Sequence, residues 1–317
     1  MVQITFFVKF WGFWLLKRVQ ILFFLVCGLT GLQSCQHEKA HSEPALKPVV
    51  QATWATETFS EKSYADLEKE DQNFLVKLLQ EESCPCDCAM TFEQCVAPQA
   101  GCPAAPVMAN WLTRRLEEGF PHGLLAEITA KEIAEGYNAK PKDLQTKGYY
   151  QKGSTSPKYR LVEYADFECA HCALASGVMV RLLEKYPQQV HLTFKHFPLQ
   201  FHLMAEKAAV AAEAAGEQNA FWPMHNALFA TYGLLNDDLF TGHAQALGLN
   251  VEQFEEDMKS KRLLKKVKDS RKQGEEAGVN STPSFFVNGR PFYLTRTIES
   301  FETRFKMDHF RNQQTCQ

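Results

Sequence analysis

At 317 residues, with 45% hydrophobic and 22% charged side chains, the chain is long enough for two domains and too apolar to be disordered. A net charge of −3 provides no broad basic field, which argues against a nucleic-acid partner. The first 35 residues hold Lys9, Lys17 and Arg18 and no acid, so the remainder is more acidic than the whole. Ten cysteines are many for a reducing compartment and direct attention to how the chain begins.

Lys17-Arg18 precede an apolar run from Val19 to Leu32, the order of a charged region followed by a hydrophobic region in a signal peptide. Leu32-Gln33-Ser34-Cys35 follows and resembles a bacterial lipobox, in which the cysteine is lipidated and becomes the mature N-terminus. The reading is an exported protein on the periplasmic side of a bacterial envelope, anchored through Cys35. An uncleaved membrane anchor is the alternative, but Lys9, Lys17 and Arg18 interrupt any single long span. Residues 36–65 are polar, with scattered Pro, Ser and Thr, and read as a tether.

Residues 66–145 read as a Cys-rich helical region. Tyr64 to Leu79 has the apolar spacing of a helix. Cys84, Cys86 and Cys88 alternate with Pro85 and Asp87, and Cys95 and Cys102 follow. Thr91 with Gln94 forms a capping-box signal between them. Helices are predicted over Val107 to Glu118 and Leu124 to Glu135, each stopped by glycine. Adjacent-but-one cysteines bridge each other only under strain, so structural disulfides from the 84–88 run to Cys95 and Cys102 are expected. Five thiols leave one over, and Cys316 would make six. An auxiliary redox relay is a second reading. A third is a soft-metal site at Cys84, Cys86 and Cys88, holding Cu(I) or Zn as a membrane-tethered chaperone would. The hairpin after the cluster resembles the small redox domain of CcmH-type cytochrome assembly proteins over about forty residues, without their C-x-x-C.

Residues 146–157, with Gly148, Gly153 and Pro157, read as a linker. A strand is predicted over Tyr159 to Tyr164, a helix over Ala170 to Tyr186 and an alternating strand over Val190 to Phe197, which makes a βαβ unit. Helices fill 203–277. Asn288-Gly289 between Ser284–Val287 and Pro291–Leu294 is a hairpin signal, and Thr297 to Lys306 is a final helix.

Cys169-Ala170-His171-Cys172 lies where the strand becomes the helix. A cysteine at a helix start meets unpaired backbone N–H groups and the positive dipole end, which stabilise its thiolate. His171 can add charge or a hydrogen bond. Cys172, one turn in, is expected to be the more buried, resolving thiol. A structural disulfide or a metal pair is the bland alternative, but no second Cys or His pair at zinc spacing occurs in residues 155–315.

Leu161-Val162-Glu163-Tyr164 through Cys172, Phe194-Lys195-His196-Phe197-Pro198 and Thr282-Pro283-Ser284-Phe285-Phe286, in that order, resemble a DsbA-like thiol–disulfide oxidoreductase over about residues 155–315. The resemblance implies an α/β, thioredoxin-like fold with an inserted helical subdomain, here preceded by the Cys-rich α-helical region. It implies a cis peptide at Thr282-Pro283 facing Cys169 and Cys172, no cofactor, and a role for Glu163 as a buried carboxylate relaying protons to the second cysteine. Lys195 is a candidate partner for Glu163. The partners implied are exported proteins with free thiols, and a membrane or soluble redox protein that resets the pair. Ala170 departs from the Pro of the best-known members, which leaves the direction of electron flow open between donor, reductase and isomerase. His191, His196, His202 and His225 have no matching partners in the motif and read as ordinary histidines.

Overall fold

A computed structural model describes residues 61–311 and residue 315. The expectations for the signal segment, Cys35, most of the tether and Cys316 fall outside the described residues. Among the described residues, no helix is long and apolar enough to cross a membrane.

The Cys-rich region is helical. The run expected as one helix breaks at Leu67-Glu68 into α1 (Glu61–Asp66) and α2 (Lys69–Glu81). α3 (Phe92–Val96) starts at the capping box, with Thr91 Oγ1 accepting from Gln94 N and Gln94 Oε1 accepting from Thr91 N. α4 (Ala104–Glu117) and α5 (His122–Lys131) form the hairpin, and α5 runs on as a π-turn over Glu132–Tyr137. Disulfides join Cys84 to Cys95 and Cys86 to Cys102, and Cys88 is also disulfide-bonded.

The segment read as a linker supplies an edge strand, β1 (Gln151–Gly153). All three of its residues are exposed, so it shows no apolar alternation. Gly153 has φ +102°, and a Cβ there would meet the Val190 carbonyl at 2.4 Å. Next come β2 (Tyr159–Ala165), α6 (Ala170–Lys185) and β3 (Val190–His196). The insertion holds α7 (Ala205–Glu217), α8 (Phe221–Ala230), α9 (Asp237–Ala246), α10 (Val251–Asp257) and α11 (Lys261–Glu276). β4 (Ser284–Val287), β5 (Arg290–Phe292) and α12 (Ile298–Phe310) close the fold. Asn288 and Gly289, at φ 49° and 79°, make the expected turn between β4 and β5.

The sheet order is β1-β3-β2-β4-β5. β2 and β3 are parallel, and the other pairs are antiparallel. Side chains alternate across the sheet. Leu161, Leu192, Phe285 and Val287 share a core with α6 and α12, whereas Val162, Tyr164 and Phe286 pack with Ala277 and Val279 just beyond α11. The first core also contains Trp111, Leu112 and Leu116 of α4, so the Cys-rich helices and the sheet domain share one hydrophobic interior.

Polar contacts within that interior fix the join. Trp111 Nε1 donates to Ser300 Oγ at 2.8 Å. Glu132, on the π-turn, pairs with Arg304 of α12, and both side chains are fully buried. Arg304 also donates to the Pro291 carbonyl, and Glu132 Oε2 accepts from Tyr293 N at 2.7 Å. Removing one partner of such a pair strands the other charge. Arg304→Met should therefore lower the unfolding free energy by about 3–5 kcal/mol in urea titration. Adding Glu132→Gln should restore part of that loss.

Candidate active site

The site forms at the end of β2. Asp166 follows the strand directly, and its buried carboxylate accepts from Glu168 N, Leu199 N and His202 Nδ1, each at 2.8 Å. Glu168 Oε2 accepts from Met204 N at 2.7 Å. These bonds tie the loop after β3 to the turn that leads into α6. Cys169 is the N-cap of α6, and its carbonyl accepts from Cys172 N at 3.0 Å and Ala173 N at 3.1 Å.

Among the described residues, Cys169 and Cys172 carry free thiols. Cys169 keeps 7% of its surface exposed and Cys172 none, so an incoming sulfur can reach the first and not the second. Thr282-Pro283 is cis. The Cys169 thiol points at the Thr282 carbonyl, with Sγ 3.6 Å from the oxygen. Arg296 Nη2 donates to the Pro283 carbonyl at 3.2 Å.

The two thiols are electrostatic opposites. A hydrogen bond from Cys172 pulls the Cys169 pKa down to about 5. Burial opposes this, and the Thr282 side chain and the backbone N–H groups of Cys172 and His171 assist. Burial drives the Cys172 pKa upward, reinforced by its hydrogen bond to Cys169. Cys172 Sγ accepts from Asp166 N at 3.5 Å. The His171 side chain is exposed, and it is the backbone N–H of this residue that acts on Cys169.

Glu163 lies on the α6 face of β2 and is buried, with its carboxyl pushed up to about 8 by loss of hydration. Its charge contributes to raising the Cys172 pKa, and its Oε1 has no hydrogen-bond partner. Lys195 does not partner it. In the β2–β3 register Glu163 stands opposite Phe194 and Lys195 opposite Tyr164, so the two side chains leave opposite faces of the sheet. Lys195 instead donates to the Leu144 carbonyl at 2.7 Å and to Gln273 Oε1. Two histidines read as ordinary do have carboxylate partners: His202 on Asp166, and His196 on Glu213 at 3.0 Å. The motif reading also missed Asp166. An Asp at a strand end with its Oδ1 two residues ahead on a backbone N–H is an Asx-turn signal that could have found it.

Cys84, Cys86 and Cys88 lie apart from this pair in sequence and are all disulfide-bonded. In this state their sulfurs lack the thiolate charge that a soft metal requires.

A family profile described as Thioredoxin matches residues 146–306, from just before β1 into α12. The chain belongs to the thioredoxin family. Its fold is the thioredoxin-like one with a helical insertion, behind a helical Cys-rich region. Among curated relatives, it is 31% identical over 194 residues to Na(+)/H(+) antiporter NhaA 1 of Salinispora arenicola, covering 61% of this chain and 29% of that one. It is 36% identical over 150 residues to NhaA 3 of Salinispora tropica, covering 47% and 23%. The chain thus spans less than a third of these relatives. Among solved structures, a thioredoxin-like oxidoreductase from Silicibacter pomeroyi is 24% identical, with TM-score 0.48, covering 55% of this chain and 99% of that one. BdbD from Bacillus subtilis is 18% identical, with TM-score 0.46, covering 54% and 97%.

The raised pKa of Glu163 has a consequence for stability. An unfolded chain ionises this carboxyl near 4.5, while the folded protein holds the proton to about 8. Its contribution is intact below about 4.5, declines as pH rises, and is lost once pH passes about 8. Glu163→Gln is neutral throughout. The variant should gain stability relative to the parent, on the order of a few kcal/mol, between pH 4.5 and 8 in urea unfolding at stepped pH.

Proposed function

We propose that the protein donates the Cys169–Cys172 disulfide to thiols of exported substrate proteins. The observation that carries this reading is the asymmetry of the two sulfurs: Cys169 accessible, with a thiol pKa near 5, and Cys172 fully buried, with its pKa raised. A stabilised thiolate favours the reduced enzyme, which makes the corresponding disulfide oxidising, and it also leaves readily when a sulfur is attacked.

In the proposed cycle a substrate thiolate attacks Cys169 Sγ. A substrate–Cys169 bond forms, the Cys169–Cys172 bond breaks, and the electron pair goes to Cys172. Its high pKa means that the Cys172 thiolate takes up a proton, and Glu163 is the buried carboxyl positioned to supply it. A second substrate thiolate then attacks the substrate sulfur of the mixed disulfide and expels Cys169 as a thiolate. The substrate has lost two electrons and the enzyme has gained them. A redox partner restores the disulfide.

Exposed apolar side chains give an unfolded substrate something to touch. Leu174 follows the pair on α6 and is 73% exposed. Phe201 and Leu203, also well exposed, lie on the loop that Asp166 and Glu168 hold against the start of α6. The low pKa of Cys169 favours the donor over the reductase or isomerase reading despite Ala170. The bridged state of Cys84, Cys86 and Cys88 counts against the metal-chaperone reading. Ion transport is not part of the proposal, because the likeness to the antiporters covers less than a third of their length. Export and lipid anchoring through Cys35 complete the reading, with the tether holding the domain off the membrane.

The test uses oxidised full-length protein and a peptide with two thiols. The parent should oxidise the peptide, Cys169→Ser should fall to the uncatalysed rate, and Cys172→Ser, given the same peptide in its disulfide form, should accumulate a peptide–Cys169 mixed disulfide, seen by mass, as the Cys169 thiolate opens the peptide bridge. Undiminished oxidation by Cys169→Ser would reject the proposal.

A further inference from the structure

The Cys-rich region contains two bridges whose sulfurs almost touch. The Sγ atoms of Cys84, Cys95 and Cys102 all lie within 4.8 Å of one another, although Cys84 is bonded to Cys95 and Cys102 to Cys86. One sulfur of the second bridge is therefore beside both sulfurs of the first. Access differs between the two. Cys84 and Cys95 have no exposed surface, so no outside thiol reaches their bond in the folded protein. Cys86 and Cys102 retain 5% and 4%. Cys86 is next to the tip of a tight turn, where Asp87 is exposed with φ 58° and donates its N–H to the Cys84 carbonyl at 3.0 Å.

We propose that these two bridges form a second redox centre, in which Cys102 passes reduction from an incoming dithiol to the buried Cys84–Cys95 bridge. The first step takes place at the turn. One thiolate of the dithiol attacks Cys86 Sγ, a mixed disulfide forms, and Cys102 leaves as a thiolate. The second thiol of the dithiol then closes its own disulfide and expels Cys86 as a thiolate, so the protein has gained two electrons and the dithiol has lost two. In the second step the Cys102 thiolate attacks the adjacent Cys84–Cys95 bond. A new bond joins Cys102 to one of those sulfurs, and the other leaves as a thiolate and takes up a proton. No electrons enter or leave in this exchange. The bridge has moved, and a sulfur that was sealed in the core is now a thiol. Because the attacking thiolate is held a few ångströms from its target, the step has the advantage of an intramolecular reaction over attack from solution. A further dithiol thiolate attacks Cys102, the sulfur of the rearranged bridge that keeps some exposure, expels its buried partner as a thiolate, and then closes its own disulfide and releases Cys102, so these two bridges can take up four electrons.

This centre is independent of Cys169 and Cys172. The test compares two full-length variants that both lack the Cys86–Cys102 bridge, so that its loss cancels. Cys86→Ser leaves Cys102 as a free thiol beside the buried bridge, and Cys86→Ser/Cys102→Ser removes it. Each is incubated with dithiothreitol, quenched in acid, alkylated and mapped by mass. The Cys84–Cys95 bridge should open at least about tenfold faster in the single variant, with bridges from Cys102 to Cys84 or Cys95 trapped on the way. Equal rates with no such bridge would overturn the proposal. A measurement on the unmutated protein covers the case in which the variants misfold. After a limiting dose of dithiothreitol, partly reduced molecules should carry Cys102 joined to Cys84 or Cys95. Finding only the original pairings among them would also overturn it.

Discussion

A thiolate can persist in a largely buried place only if the protein supplies the hydrogen bonds that water would have made. The rest of the site depends on that constraint at Cys169. The Cys172 thiol gives the main hydrogen bond to its sulfur, and because the residue caps α6, where the first N–H groups have no carbonyl of their own helix to bind, those of His171 and Cys172 assist. β2 sets where the helix begins, and Asp166 sets the angle of the turn between them. The loop carrying Thr282 closes the opposite side. Hydrogen bonds lower the pKa, that from the Cys172 thiol most and those from Thr282 and the backbone N–H groups after it.

Cys172 experiences the same helix from inside. One turn further on it has no exposure, and the buried carboxyl of Glu163 is part of its surroundings. Burial thus divides a symmetrical pair of thiols into an accessible leaving group and a sealed sulfur that resists ionisation. The sheet provides this division, because alternation along β2 sends Glu163 towards α6 and Tyr164 towards Lys195 and Gln273.

What could be read from the sequence was what is encoded locally. The cysteine pair at a strand–helix junction, the capping box at Thr91, and the turn at Asn288-Gly289 are each written in a few adjacent residues, and the structure has each feature there. The bridges run from the Cys84–Cys88 run to Cys95 and Cys102, as strain between near neighbours implies. Features that depend on distant residues were not legible. Glu132 and Arg304 are 172 positions apart, and neither position carries a motif. Asp166 and His202 meet only because the loop after β3 folds back over the turn. That Lys195, a candidate partner for Glu163, faces away from it follows from the strand register, which exists only with both strands in place. β1 reads as a linker in the sequence because an exposed three-residue edge strand has no apolar pattern.

The central claim is that the folded chain holds Cys169 as a thiolate under conditions where an ordinary thiol is neutral. Ultraviolet absorbance of the thiolate in reduced protein, titrated with acid and corrected with the Cys169→Ser variant, measures this directly. The structure predicts a single midpoint at about pH 5, with Cys172 silent over the same range. A midpoint near the ordinary thiol value of about 8.5 would contradict it.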